Sequence, residues 1–174
     1  MRILGLDPGN AITGYGMIEE VKGGYTLVEY GALRTPAGLD AAQRLLLLYD
    51  ALQKLLDKLN PEQVAVEQLF FNKNVTTAVP VGQARGVLLL GCAQRGLAIA
   101  EYTPLQVKQA LTGFGRADKG QIQYMVCRLL SLGEPPKNDD AADALAIAIT
   151  HAHYYRSRDR IAAARQQAAA GRKS

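Results

Sequence analysis

The sequence predicts one α/β domain in which a single mixed sheet of five strands is flanked by helices. Three observations carry that prediction. Short apolar or β-branched runs at the start of the chain are separated by glycine turns, the mark of an antiparallel meander. The hydrophobic period then changes to the three- and four-residue spacing of an amphipathic helix, and strand-like and helix-like segments alternate afterwards. A length of 174 residues houses one core and leaves no room for two cleft-closing domains.

The elements follow in order. Arg2 to Leu6 is an apolar run ended by Asp7-Pro8-Gly9, a buried strand with Asp7 at its C-terminal end. Strands are expected at Gly14 to Glu20 and Tyr25 to Arg34, with Gly23-Gly24 as the hairpin signal between them. From Asp40, the spacing of Leu45, Leu48, Leu52, Leu55, Leu56 and Leu59 predicts an amphipathic helix that stops at Asn60-Pro61. Gln63 to Gln68 is a fourth strand with Glu67 near its end. After a loop through Phe70-Phe71-Asn72-Lys73-Asn74, a helix runs to about Arg95. Pro80 lies inside that pattern, so the helix either begins near Ala78 or kinks. Leu97 to Tyr102 is the fifth strand, and Thr103-Pro104 caps a helix reaching about Leu111. Gly113, Gly115 and Gly120 mark a loop carrying Arg116, Asp118 and Lys119 before a helix from about Gln121 to Ser131. A last helix starts at Asp139 or Asp140, one of which is the expected N-cap, and passes His153.

Composition narrows the classes. Apolar residues at 48% and charged residues at 21% are ordinary globular usage. The longest apolar stretches, Gly86 to Ala93 and Ala144 to Ile149, fall far short of the roughly 20 residues that span a bilayer, so no membrane association is expected. Asp7 interrupts the apolar start where an export signal needs its core, and Cys92 and Cys127 fit no disulfide or metal spacing. A reducing, cytoplasmic setting is expected. The net charge of +4 is unevenly placed. Residues 156–174 hold six basic residues against Asp159, a local +5, which leaves residues 1–155 at −1. The expected organisation is a domain over residues 1–155 and a basic, flexible tail over 156–174 that suits a polyanionic partner as well as simple solubility.

Three acids occupy positions where acids are uncommon. Asp7 ends the first strand, Glu67 ends the fourth, and Asp143 sits within Ala141-Ala142-Asp143-Ala144-Leu145, a segment apolar on every side. Asp140 lies one helical turn before it. Asp7 as a turn cap and Glu67 as a solvated strand end are the plain alternatives, but Asp143 in a buried helix needs a partner or a metal. If the first and fourth strands are neighbours, Asp7 and Glu67 converge at the sheet's carboxyl edge, where the last helix adds Asp140 and Asp143. Four carboxylates without basic partners call for hard cations. Mg²⁺ takes oxygen ligands, and two such ions about 3.5–4 Å apart suit phosphodiester cleavage.

The chain resembles the RuvC family of bacterial Holliday-junction resolvases. The ordered segments Gly5-Leu6-Asp7-Pro8-Gly9 with Thr13-Gly14-Tyr15-Gly16, Glu67-Gln68 with Lys73-Asn74, Gly82-Gln83-Ala84-Arg85-Gly86, Gln106-Val107-Lys108-Gln109 and Asp140-Ala141-Ala142-Asp143-Ala144 carry that resemblance across nearly the whole body. It implies a ribonuclease-H-like fold. It also implies a structure-specific endodeoxyribonuclease that makes paired, symmetric cuts in four-way junctions during recombination, DNA repair and the SOS response. Asp7, Glu67, Asp140 and Asp143 would form the site for Mg²⁺, with Mn²⁺ able to substitute, and Lys108 and Lys119 would lie beside the scissile phosphate. Phe70 and Phe71 would wedge against unpaired bases, and Lys73, Asn74 and Arg85 would complete the DNA contacts. The resemblance further implies a homodimer and cooperation with the RuvA–RuvB branch-migration machinery. Pro80 departs from the family pattern and bears on where the second helix begins.

The residues themselves support these roles unevenly. Lys108 and Lys119 also read as solvated surface lysines, and one of Phe70 and Phe71 could cap the core instead of facing DNA. His151 and His153 read as ordinary helix residues that either could bring near the acids. Val87-Leu88-Leu89-Leu90 spreads apolar side chains around more than one helix face, which suits a dimer contact or a helix buried on two sides. Size excludes an actin-like or sugar-kinase-like phosphotransferase; the alternatives that remain are a junction-binding module that does not cut and a related nuclease acting on structured RNA.

Overall fold

The computed structural model describes residues 1–9, 11–69 and 75–170. Strands β1 (Arg2–Asp7), β2 (Ile12–Val21) and β3 (Gly24–Arg34) form the expected meander. The turn between β2 and β3 is Lys22-Gly23, one residue earlier than expected: Val21 pairs with Gly24, and Gly23 takes a φ of 93°, which a side chain disfavours. Strands β4 (Gln63–Glu67) and β5 (Ala98–Tyr102) complete a five-stranded sheet of order β3-β2-β1-β4-β5. The β1–β4 and β4–β5 pairs are parallel.

Helices cover both faces, so the central strands are buried on both sides. On one face α1 (Ala41–Leu59) and α2 (Val75–Gln94) close over Leu4, Leu6, Met17, Val64 and Val66. On the other, α3 (Pro104–Thr112), α4 (Lys119–Leu130) and α5 (Asp139–Ala170) close over Ile3, Ile18 and Ala65. β1 therefore reads as continuously apolar, because alternate residues feed alternate cores. Leu145, Ile147 and Ile149 of α5 are completely or almost completely buried, each contributing about 1.5–3 kcal/mol of hydrophobic stabilisation.

Local signals set most boundaries. Asp40 caps α1 by accepting from Gln43 N–H at 2.8 Å, and Thr103 and Gln106 cap α3 reciprocally. Two starts differ from expectation. α2 begins at Val75 rather than near Ala78 and carries Pro80 inside it; so close to the helix start, proline forgoes only one backbone bond. α4 begins at Lys119 rather than Gln121, because Asp118 accepts from Gln121 N–H at 2.8 Å while Gln121 accepts from Asp118 N–H. Lys119 is thus on the first helical turn, not in a loop. The boundary expected after residue 155 falls inside α5. Arg156, assigned to the tail by its charge, pairs with Glu20 and lies 4.8 Å over the Tyr25 ring. No helix among the described residues is long and apolar enough to cross a membrane.

Candidate active site

Asp7 and Glu67 are the last residues of neighbouring parallel strands, one step beyond the Leu6–Val66 pair, and both stand at the sheet's carboxyl edge. The conditional expectation of convergence is met because β1 and β4 are adjacent.

α5 brings the other two acids, and glycine sets how closely it can approach. A Cβ on Gly14, which pairs with Asp7, would stand 2.0 Å from the Asp140 carbonyl oxygen. A Cβ on Gly5 would stand 2.0 Å from the Ala144 carbonyl oxygen. With no side chain at either position, the helix backbone rests directly on β1 and β2, which puts Asp140 and Asp143 over Asp7. The start of α5 corrects the expected cap. Neither Asp139 nor Asp140 caps it; the Asn138 side-chain oxygen accepts from Asp140 N–H at 3.0 Å, and the Asn138 carbonyl accepts from Ala142 N–H at 3.2 Å. Asp140 is thereby left unused by the cap.

Asp143 also differs from expectation, since its side chain is 38% exposed rather than sealed in the core. It opens on a cavity of about 220 Å³ whose lining includes Glu67, Lys108, Lys119 and Asp143. Lys119 Nζ lies 3.1 Å from Asp139 and 3.5 Å from Asp143, and Gln123 donates to Asp139 at 3.0 Å. Lys108 reaches the same cavity from α3. The structure thus brings together both predicted lysines and two of the acids in one hollow, with Asp7 and Asp140 acting on it electrostatically.

Burial first, and then Glu67, Asp143 and Asp140, push the Asp7 carboxyl up to about 8. Burial and Asp143 push Glu67 up to about 7, although Asp7 donates a hydrogen bond to it. Asp143 is raised by burial, against the pull of Lys119. These are electrostatically frustrated acids, with Lys119 in ion-pair contact and Lys108 lining the same hollow. No group of three or more His, Cys, Asp or Glu among the described residues is arranged to hold a metal ion, so the oxygens converge without forming a closed cage. The donor chemistry fits a hard divalent cation: every candidate ligand is a carboxylate oxygen, and bringing the four together ionised needs compensating positive charge.

The remaining predicted residues divide. Arg85 turns into the chain, donating from Nε to the Glu67 carbonyl at 3.2 Å and pairing with Glu101. It holds the strand end that bears Glu67. Phe70, Phe71, Lys73 and Asn74 lie outside the described residues. His151 and His153 keep away from the acids. His151 is buried between Tyr102 and Gln63 at the opposite end of β4, and His153 Nδ1 lies 3.1 Å from the Ala110 carbonyl oxygen. Cys92 is buried, which raises its thiol to about 12, and both cysteines are free. Sequence reasoning missed Asn138, Gln123 and the helix-seating role of Gly5 and Gly14. The run Asn138-Asp139-Asp140 held a signal for the first, since asparagine is among the strongest N-caps.

The sequence and the fold are similar to those of known proteins. The family model described as Crossover junction endodeoxyribonuclease RuvC matches residues 3–151. A crossover junction endodeoxyribonuclease RuvC from Pelotomaculum thermopropionicum is 57% identical over 155 residues, covering 89% of this chain and 94% of that protein. Among solved structures, RuvC from Thermus thermophilus superposes with a TM-score of 0.84 at 38% identity, covering 90% of this chain and 96% of the other. The T. thermophilus protein in complex with a Holliday junction substrate gives a TM-score of 0.82 at 34% identity, with the same coverage.

Proposed function

Since the chain belongs to the RuvC family of crossover junction endodeoxyribonucleases, we propose that it resolves four-way Holliday junctions by hydrolysing phosphodiester bonds at the acidic end of its ribonuclease-H-like sheet. The observation that carries the reading is the convergence of Asp7, Glu67 and Asp143, with Asp140 close by, beside Lys108 and Lys119. Asp7, Glu67, Asp140 and Asp143 would hold a divalent cation, which would supply Lewis acidity to the phosphoryl group and positive charge to the site. Mg²⁺ suits the all-oxygen donor set, with two ions per site and Mn²⁺ as a substitute.

This chain's own residues do the rest. Asp7 and Glu67 keep their protons toward neutrality and release them when the site gains positive charge. Asp140 and Asp143 reach in from the seated helix. Lys108 and Lys119 offset the charge of the phosphate, and Lys119 exchanges its contacts with Asp139 and Asp143 for the incoming strand. Arg85 acts through Glu67 by bonding its carbonyl. Hydrolysis leaves 5′-phosphate and 3′-hydroxyl ends. Phe70 and Phe71, with Lys73 and Asn74, would meet the junction centre, and the basic residues beyond 156 would meet its arms.

Two opposed cuts suit a two-fold homodimer with one site per subunit. Val79 and Leu90 of α2, 56% and 57% exposed, are eleven residues apart, about three helical turns, and so share a face that supports such a contact. Family membership supports action alongside RuvA–RuvB. Incubating the purified protein with a synthetic mobile four-way junction and Mg²⁺ tests the reading. Paired nicks on opposing strands are expected; no nicks, or equal cutting of linear duplex, would overturn it.

A further inference from the structure

Beside the catalytic hollow lies a second surface that the proposed chemistry does not use. Phe114, 73% exposed, and Tyr124, 63% exposed, line an open cavity of about 720 Å³ together with Leu111, Arg116 and Met125. Rings this exposed contribute little to the core, yet the turn that carries Phe114 is firmly held. Gly113 ends α3 at a φ of 77°, and the Thr112 hydroxyl accepts from Phe114 N–H at 3.2 Å while donating to the Lys108 carbonyl at 2.8 Å. The turn is therefore tied to the helical segment that carries Lys108.

The same two helices line both cavities. α3 gives Lys108 to the catalytic hollow and Leu111 and Thr112 to the second surface; the start of α4 gives Lys119 to the first and Gly120 and Gln121 to the second. The surface offers one cation to a phosphate. Arg116 is exposed and forms no ion pair among the described residues, while Asp118, the one acid among the described lining residues, has an oxygen turned to Gln121 N–H.

We infer that this surface is a stacking shelf for a nucleobase of the substrate strand near the scissile phosphate, with Phe114 and Tyr124 as the stacking rings and Arg116 on the adjoining phosphate. The inference rests on the nuclease reading above. Continuity with the catalytic hollow and the unpaired Arg116 favour DNA over a protein partner at this place.

The test uses junctions with 2-aminopurine placed on either side of the cut, titrated with the full chain without divalent cation, followed by single-turnover cleavage with Mg²⁺. Quenching on binding is expected at one flanking position. Phe114→Ala and Tyr124→Ala should each remove the quenching and weaken junction binding roughly five-fold to a hundred-fold, while Phe114→Trp preserves both. Neither alanine variant changes charge, so the salt dependence of binding should keep its slope; Arg116→Ala should reduce that slope by about 1. Wild-type affinity and quenching in Phe114→Ala, with the unsubstituted protein cutting normally, would overturn the shelf alone. An altered sedimentation coefficient in that variant with junction binding unchanged would assign the surface to a protein contact and overturn it too. Failure of the unsubstituted protein to bind or cut the junction would remove the nuclease reading and the shelf together.

Discussion

At the carboxyl edge of the sheet, Asp7 and Glu67 end neighbouring parallel strands, and burial first and then the neighbouring acids raise both carboxyls far above their ordinary range. In the unfolded chain these groups ionise near 3.8 and 4.5; in the fold they ionise near 8 and 7. Between those limits the folded chain binds more protons than the unfolded one, so stability falls as pH rises from about 5 to about 8. The melting temperature of the chelator-treated protein should drop over that window. Added Mg²⁺ should restore it, and by more at pH 8 than at pH 6, which differential scanning calorimetry would measure.

Asp7→Asn removes a buried charge without changing the shape of the side chain. It should retain junction binding while abolishing cleavage, because the strand end survives and one of the four proposed metal-binding carboxylates is lost. In metal-free buffer at pH 8 it should also melt a few degrees above the unsubstituted protein, since no carboxylate remains there to be ionised at a cost. A gel-shift titration paired with thermal melts checks both; loss of binding would make Asp7 a structural residue.

Gly14→Ala places a methyl group against the Asp140 carbonyl, where no flexible side chain can yield. The helix must shift, at a cost of about 2–4 kcal/mol, and cleavage should fall by about 100-fold even in the fraction that folds. Gly133→Ala, whose Cβ meets open space, should change stability by less than about 0.5 kcal/mol and leave cleavage unchanged. Urea unfolding and single-turnover cleavage of the two variants make the comparison.

Asn138→Ala removes the side-chain acceptor at the start of α5. About 1 kcal/mol of stability should be lost, and Asn138→Asp should recover most of it, since aspartate caps as well. Cleavage should decline with the alanine variant because the first turn of α5 carries Asp140, and recovery by aspartate would separate capping from a role of the amide itself.

Much of this architecture is written in local chemistry. The leucine spacing between Leu45 and Leu59 specifies α1, Asp40 and Thr103 specify helix starts, and the acids at the ends of the first and fourth strand segments announce themselves as out of place. The starts of α2 and α4 were less legible. A proline near a helix start tolerates either boundary, and Asp118 becomes a cap only through its exchange with Gln121.

Residue types and their order along the chain settle which groups are available: four carboxylates, two lysines, and strands short enough to end in acids. Their meeting does not follow from order. It depends on β1 lying beside β4, and on α5 pressing its backbone onto Gly5 and Gly14, contacts between residues 60 positions apart in the first case (Leu6 and Val66) and more than 120 apart in the second. Packing also turned Arg85 inward to Glu67 and Glu101, kept His151 at the far end of the sheet, and opened Asp143 to a cavity that an all-apolar helical segment gave no hint of. Propensity and periodicity act over a few residues, whereas burial, close backbone approach and electrostatic coupling exist only between segments that have already packed.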